Sequence, residues 1–138
     1  MDLRIYLYNK PVSDVKALRT EVFAGELGLE EVMDSIDEHA THILIYDGGT
    51  AIATGRLYSD NEEKFVIGSV CVKKDYRGKK LGKRVLSALE EDARKSGGSD
   101  VSARVPDTVQ GFFEKAGYTA ADTQPDNAQV VMTKKIRK

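Results

Sequence analysis

The chain has 138 residues, with 21 Lys and Arg against 22 Asp and Glu, a formal net charge of −1 and one cysteine. A composition of 41% hydrophobic and 31% charged residues suits a globular domain and excludes a disordered chain, and no apolar run approaches the length of a membrane helix. Near-neutrality gives no global attraction for nucleic acid, the lone cysteine cannot close an internal disulfide, and "MDLRIYLYNK" lacks the basic start and apolar stretch of a signal peptide, so one cytoplasmic domain spanning 1–138 is expected.

In chain order, "LRIYLY" at 3–8 alternates like a strand. "SDVKALRTEVF" follows as a helix with Val15, Leu18 and Val22 on one face and Ser13 or Asp14 as cap. Residues 25–40, rich in Gly and acids, suggest a loop with a short helix. "THILIYD" and "AIATGRLY" read as a hairpin turning at Gly48 and Gly49. "KFVIGSVCVK" is apolar enough for a strand buried on both faces. A helix from about Lys79 to Lys95 lines up Leu81, Val85, Leu89 and Ala93, and ends at Gly97 and Gly98. "DVSARV" is a strand, "DTVQGFFEKAG" a helix capped by Asp107, and "YTAAD" and "AQVVMTKKI" are strands around the polar turn "TQPDN".

Charge is segregated along this order. No Lys or Arg occurs from Thr20 through Gly55, a stretch holding Glu21, Glu26, Glu30, Glu31, Asp34, Asp37, Glu38 and Asp47. Seven Lys and Arg then fall between 73 and 84, around Gly78 and Gly82 at a helix start. Unpaired N–H groups and the positive dipole end make such a start a phosphate site, and glycines let an anion approach the backbone. The spacing matches neither a Walker loop nor a dinucleotide fingerprint.

Arg77-Gly78-Lys79-Lys80-Leu81-Gly82 resembles the coenzyme A motif Arg/Gln-x-x-Gly-x-Gly/Ala of the GNAT superfamily of N-acetyltransferases, and "FFEKAGY" is similar to its later "FYEKLGF". "LRTEVF", "DEHATHIL", "ATGRLY" and "VIGSVCV", in that order, resemble the ElaA-type subgroup. The resemblance implies an α/β GNAT-like fold, a mixed central sheet of six to seven strands flanked by about four helices, with splayed central strands. It implies acetyl-CoA as co-substrate, no metal, and direct transfer of an acetyl group to a primary amine on a small molecule or a lysine. The backbone of Val70, Cys71 and Val72 would polarise the thioester, and Arg77, Gly78, Lys79, Lys80, Leu81, Gly82 and Lys83 would hold the pyrophosphate. Phe113 stands where the family often has a tyrosine that protonates the leaving thiolate. Lys80 replaces the loop's middle glycine, which implies a backbone kept out of the left-handed region.

Deprotonating the amine needs a base or a water chain, for which Glu21, Glu26, Glu38, His39 and His42 are candidates. Tyr118 or Tyr76 could replace the missing acid. Cys71 reads as a buried, inert thiol, and His39 and His42 with Asp37 and Glu38 match no zinc spacing. The acidic stretch favours a cationic acceptor, with basic and acidic clusters sorting the two substrates to opposite sides. Arg56 would pair with those acids or meet substrate. The partners are acetyl-CoA and an amine acceptor, without nucleic acid or membrane, for a monomer or homodimer. The rival readings are a catalytically weak acyl-CoA sensor and a nucleic-acid-binding module built on Lys73 to Arg84.

Overall fold

The computed structural model describes residues 1–59, 64–121 and 129–137. Its element order is β1 (Leu3–Tyr8), α1 (Ser13–Arg19), β2 (Thr41–Asp47), β3 (Thr50–Ser59), β4 (Lys64–Val72), α2 (Leu81–Lys95), β5 (Asp100–Pro106), α3 (Gln110–Lys115), β6 (Thr119–Ala120) and β7 (Gln129–Lys135). The seven strands form one mixed sheet in the order β1-β2-β3-β4-β5-β7-β6. Among the described residues, only β4 and β5 run parallel. Helix α2 connects them, as a parallel pair requires a crossover. The described residues hold three α-helices; the short helix expected in 25–40 is a 3-10 turn at Ser35–His39. The turn "TQPDN" lies outside the described residues.

The α2 stripe does what its spacing predicts. Leu81, Val85, Leu86, Leu89 and Ala93 are buried against Ile43, Ile45, Ile52, Leu57 and Ile67 of the sheet and against Val101, Ala103 and Val105 of β5. The opposite face is covered by α1, whose Val15 and Leu18, with Val22 just beyond, pack on Leu44 and Cys71. Helix α1 reaches β2, β3 and β4 but leaves the β5-β7-β6 side of that face without a helix among the described residues.

Two expected caps are not used. The α1 N-cap is Val12, with no side-chain cap, and Asp14 accepts the Tyr46 hydroxyl instead. Asp107 opens a 3-10 turn before α3 and caps nothing with its side chain. A third expectation fails for a reason that matters to function. Strand β4 is mostly half-buried rather than sealed on both faces, because its parallel neighbour leaves it early.

Candidate active site

Strands β4 and β5 pair over three rungs, Lys64↔Asp100, Phe65↔Val101 and Val66↔Ser102. Beyond Val66 they part, and a gap opens toward their C-terminal ends. A bulge in β4 begins at this point: Gly68 to Cys71 spans one residue more than the facing Thr54 to Arg56. Ser69 takes the extra position with φ 51°. Such a bulge bends the strand and re-aims its peptide groups.

The ladder fixes which peptides face the gap. Lys73 donates its backbone N–H to Ile52 O at 2.8 Å. Alternation along an antiparallel pair then turns Cys71 toward Thr54 and leaves Val70 and Val72 facing away from β3, into the gap. Of the three residues expected to polarise a thioester, Val70 and Val72 therefore turn their peptide groups toward the gap. The Cys71 backbone belongs to the ladder, and its buried thiol is pushed up to about 12 by desolvation. That thiol stays protonated and serves as packing.

The basic loop ends β4 and begins α2. Gly78 has φ 78° and Lys80 φ 63°, ψ 22°. Lys80 thus adopts the left-handed conformation that the lysine side chain was expected to prevent, at a cost of about 1–2 kcal/mol. It is the N-cap of α2 and offers no side-chain cap. The first intrahelical bond runs from Arg84 N–H to Lys80 O at 3.2 Å. The N–H groups of Leu81, Gly82 and Lys83 remain as helix-start donors. Lys80 and Lys83 are exposed and have no ion-pair partner among the described residues, while Lys79 lies over the Tyr76 ring. This donor set and charge fit a pyrophosphate.

Arg77 differs from its neighbours. Its Nε donates to Val72 O at 3.0 Å, and Nη1 and Nη2 donate to the two Glu26 carboxylate oxygens, each at 2.8 Å. The Arg77 hydrogen bonds hold the Glu26 carboxyl below its ordinary range. Glu21 meets Lys73 at 3.3 Å. The acidic and basic clusters, expected to stand apart, meet at the end of β4.

Of the remaining acids, Asp37 turns inward. Arg19, 0% exposed, donates from Nη1 to Asp37 Oδ2 at 2.9 Å and to Val32 O at 3.1 Å. Arg56 reaches Asp37 Oδ1 at 3.1 Å and Asp34 Oδ1 at 2.6 Å. Burial alone would raise the Asp37 carboxyl, but the bonds from Arg19, the Asp34 N–H and Arg56 hold it at about 2. His42, 0% exposed, contacts Asp37 O through Nε2 at 2.9 Å, and desolvation lowers its pKa. This candidate base is sealed beneath the 25–40 segment. Glu38 and His39 are exposed.

Phe113 is 4% exposed and packs edge-on against Tyr118 in the α2 core. Tyr118 is 2% exposed and donates its hydroxyl proton to Glu90 at 2.7 Å. Tyr76 donates to Asp47 at 2.9 Å. The aromatic from this motif that reaches the basic loop is Phe112: its ring edge lies 3.0 Å from where a Cβ on Gly82 would sit. Sequence reasoning singled out its neighbour; the signal for Phe112 was the pair of adjacent aromatics, one of which must face away from the core.

A mixed sheet parted by a bulge, with a basic helix start at the parting, is the architecture of an acyl-CoA-dependent acyltransferase. The chain belongs to the Acetyltransferase (GNAT) family, whose model matches residues 11–118. It is 30% identical over 110 residues to the Bacillus subtilis "Uncharacterized N-acetyltransferase YjcF", covering 78% of this chain and 77% of that one. The solved structure of a Lactobacillus plantarum protein is 28% identical, with a TM-score of 0.87, over 99% of this chain and 100% of that one. Escherichia coli ElaA, 23% identical, shares the fold with a TM-score of 0.81 over 95% of this chain and 98% of its own. The protein is an N-acetyltransferase by family, and no described helix is long and apolar enough to cross a membrane.

Proposed function

We propose that the protein transfers the acetyl group of acetyl-CoA to a primary amine, on a small molecule or a lysine, by direct attack. The observation that carries this is the gap beyond Val66 and Ser102, set beside a helix start that has no side-chain cap and carries unpaired lysines. The N–H groups at Leu81, Gly82 and Lys83, with Lys79, Lys80 and Lys83, bind the pyrophosphate. The peptides of Val70 and Val72 orient the thioester and stabilise the developing oxyanion. The amine nitrogen forms the new C–N bond, the C–S bond breaks, and the thiolate leaves. With a pKa near ~8.5, judged from the cysteine thiol, it departs without a strong acid. The burial of Phe113 in the core therefore gives the weak-sensor reading no support.

Glu21 and Glu26 are the candidate bases tied to the end of β4, through Lys73 and Arg77. Glu26 accepts the amine proton readily only after releasing Arg77, since that pairing favours the ionised carboxylate. Of the acidic stretch, Glu21, Glu26, Asp34 and Asp37 already have cations, which leaves these four less charge to offer a cationic acceptor. We place the reaction in the cytoplasm, which suits the free thiol of Cys71. The test is Gly82→Glu. The ring it displaces belongs to Phe112, which is 38% exposed and has room to move, so the fold survives. Calorimetry should show acetyl-CoA affinity lost in the folded variant, and retained affinity there overturns the pyrophosphate site. Thiol release across an amine panel then tests transfer.

A further inference from the structure

The face of β5, β7 and β6 that α1 leaves uncovered is not apolar. Strand register places Val66, Ser102, Thr133 and Thr119 in one row across β4, β5, β7 and β6. The next row is Lys64, Asp100 and Lys135. Val101 and Ala103 are buried in the α2 core, so pleat alternation turns Ser102 and Arg104 to the opposite, open face. A cavity of about 400 Å³ lies on these rows, lined by Lys64, Asp100, Ser102, Thr119, Thr133 and Lys135 among others. It reaches the last rung before the gap, because Ser102 belongs to both.

One step past that rung the two banks differ. On β4 stands Gly68, where an added Cβ would lie 3.5 Å from Arg56 Nε. Arg56 is already neutralised by Asp34 and Asp37. On β5 stands Arg104, exposed and without a side-chain partner among the described residues. Lys135 is exposed and likewise unpaired. Among the described residues, the open face thus carries Arg104 and Lys135 beside the carboxylate of Asp100. Asp34 and Asp37, the acids nearest on the β3 side, are held by Arg19 and Arg56.

We propose that the acceptor is an amine bearing an anionic group, a carboxylate or a phosphate. Arg104 anchors the anion at the mouth of the gap, and the hydroxyl row of Ser102, Thr133 and Thr119 receives the polar body. An arginine suits this task because its planar fork matches both oxyanions, and an unpaired one has no resident partner to displace. This rests on the acetyl-transfer reading and names its substrate class.

The experiment measures thiol release from acetyl-CoA with the common amino acids, their amides, phosphoethanolamine and spermidine. Wild-type protein is expected to favour one anionic acceptor over its neutral or cationic counterpart by at least ~10-fold in kcat/KM, a margin of about 1.4 kcal/mol. Amino acids ahead of their amides identify a carboxylate, and phosphoethanolamine ahead of the rest identifies a phosphate. Arg104→Gln should collapse the discrimination toward unity, chiefly through KM, with acetyl-CoA affinity by calorimetry retained; Arg104→Lys should restore part of it. The inference is overturned if amides or spermidine are preferred, or if Arg104→Gln lowers every acceptor alike. If no amine turns over while acetyl-CoA binds, calorimetry of N-acetylated amino acids and N-acetylphosphoethanolamine against coenzyme A-loaded protein decides: binding lost in Arg104→Gln upholds the anion anchor, and no binding by wild type overturns it.

Discussion

Arg19–Asp37 and Arg77–Glu26 are the same chemical pair at nearly the same distance, 2.9 Å and 2.8 Å. Their side-chain exposures are 0% and 2% for the first, and 44% and 28% for the second. In the first, neither partner can turn to water, so Arg19 depends on Asp37, which Arg56 shares, for its counter-charge, and the pair ties the 25–40 segment to α1. In the second, solvent already competes, and a polyanion at the α2 start can take the arginine. Burial, rather than geometry, separates an organising contact from an exchangeable one.

The sharpest way to break this comparison is Asp37→Asn. It leaves Arg19 buried without a counter-charge and should cost about 3–5 kcal/mol, read from denaturant midpoints. The same carboxylate gives a pH signature. Its folded pKa of about 2 lies below the unfolded value, so its stabilisation is complete above ~4 and is lost as pH falls from there toward 2. An acid unfolding limb that looks the same in Asp37→Asn as in wild type would show that the pair does not hold the segment.

Next in size is Lys80→Gly. Relief of the left-handed strain, offset in part by the greater freedom of glycine in the unfolded chain, should stabilise the protein by roughly 0.5–1 kcal/mol. Coenzyme affinity should not rise with it, because a pyrophosphate-facing charge is lost. A drop in stability would mean that the lysine side chain holds the loop by contacts outweighing its strain.

The smallest effect on the fold is expected from Glu26→Gln. Denaturation midpoints should barely move, while acetyl-CoA binding tightens because Arg77 is released, and added salt should narrow the difference by screening. A large loss of stability would place this pair with Arg19–Asp37 rather than opposite it.

Local chemistry was readable in the sequence, and tertiary chemistry was not. The basic loop, its glycines and the α2 stripe are encoded within about 25 residues and appear where expected. Arg19 went unnoticed because an arginine on a helix usually reads as solvated. Yet it lies four residues after Val15 and one after Leu18, on the buried side, and 36 residues with eight acids and no cation follow it. Four of those acids, Glu21, Glu26, Asp34 and Asp37, find their counter-charges elsewhere in the chain. The bulge at Ser69 had no signature either, since a serine at φ 51° is held there by the ladder on both sides of it.

The three rungs between β4 and β5 also make a seam. On one side lie β1 to β4, fully laddered to one another; on the other lies the β5-β7-β6 leaf, joined by those rungs and by α2 as a common spine. Heat or denaturant should therefore part the two leaves before it melts either one, with amides near the seam exchanging early. A coenzyme lying in the gap, with amides of its own facing Val70 and Val72, would act there as a missing length of strand. Substrate binding would then stitch the sheet shut, and the protein should be markedly harder to unfold when saturated than when empty.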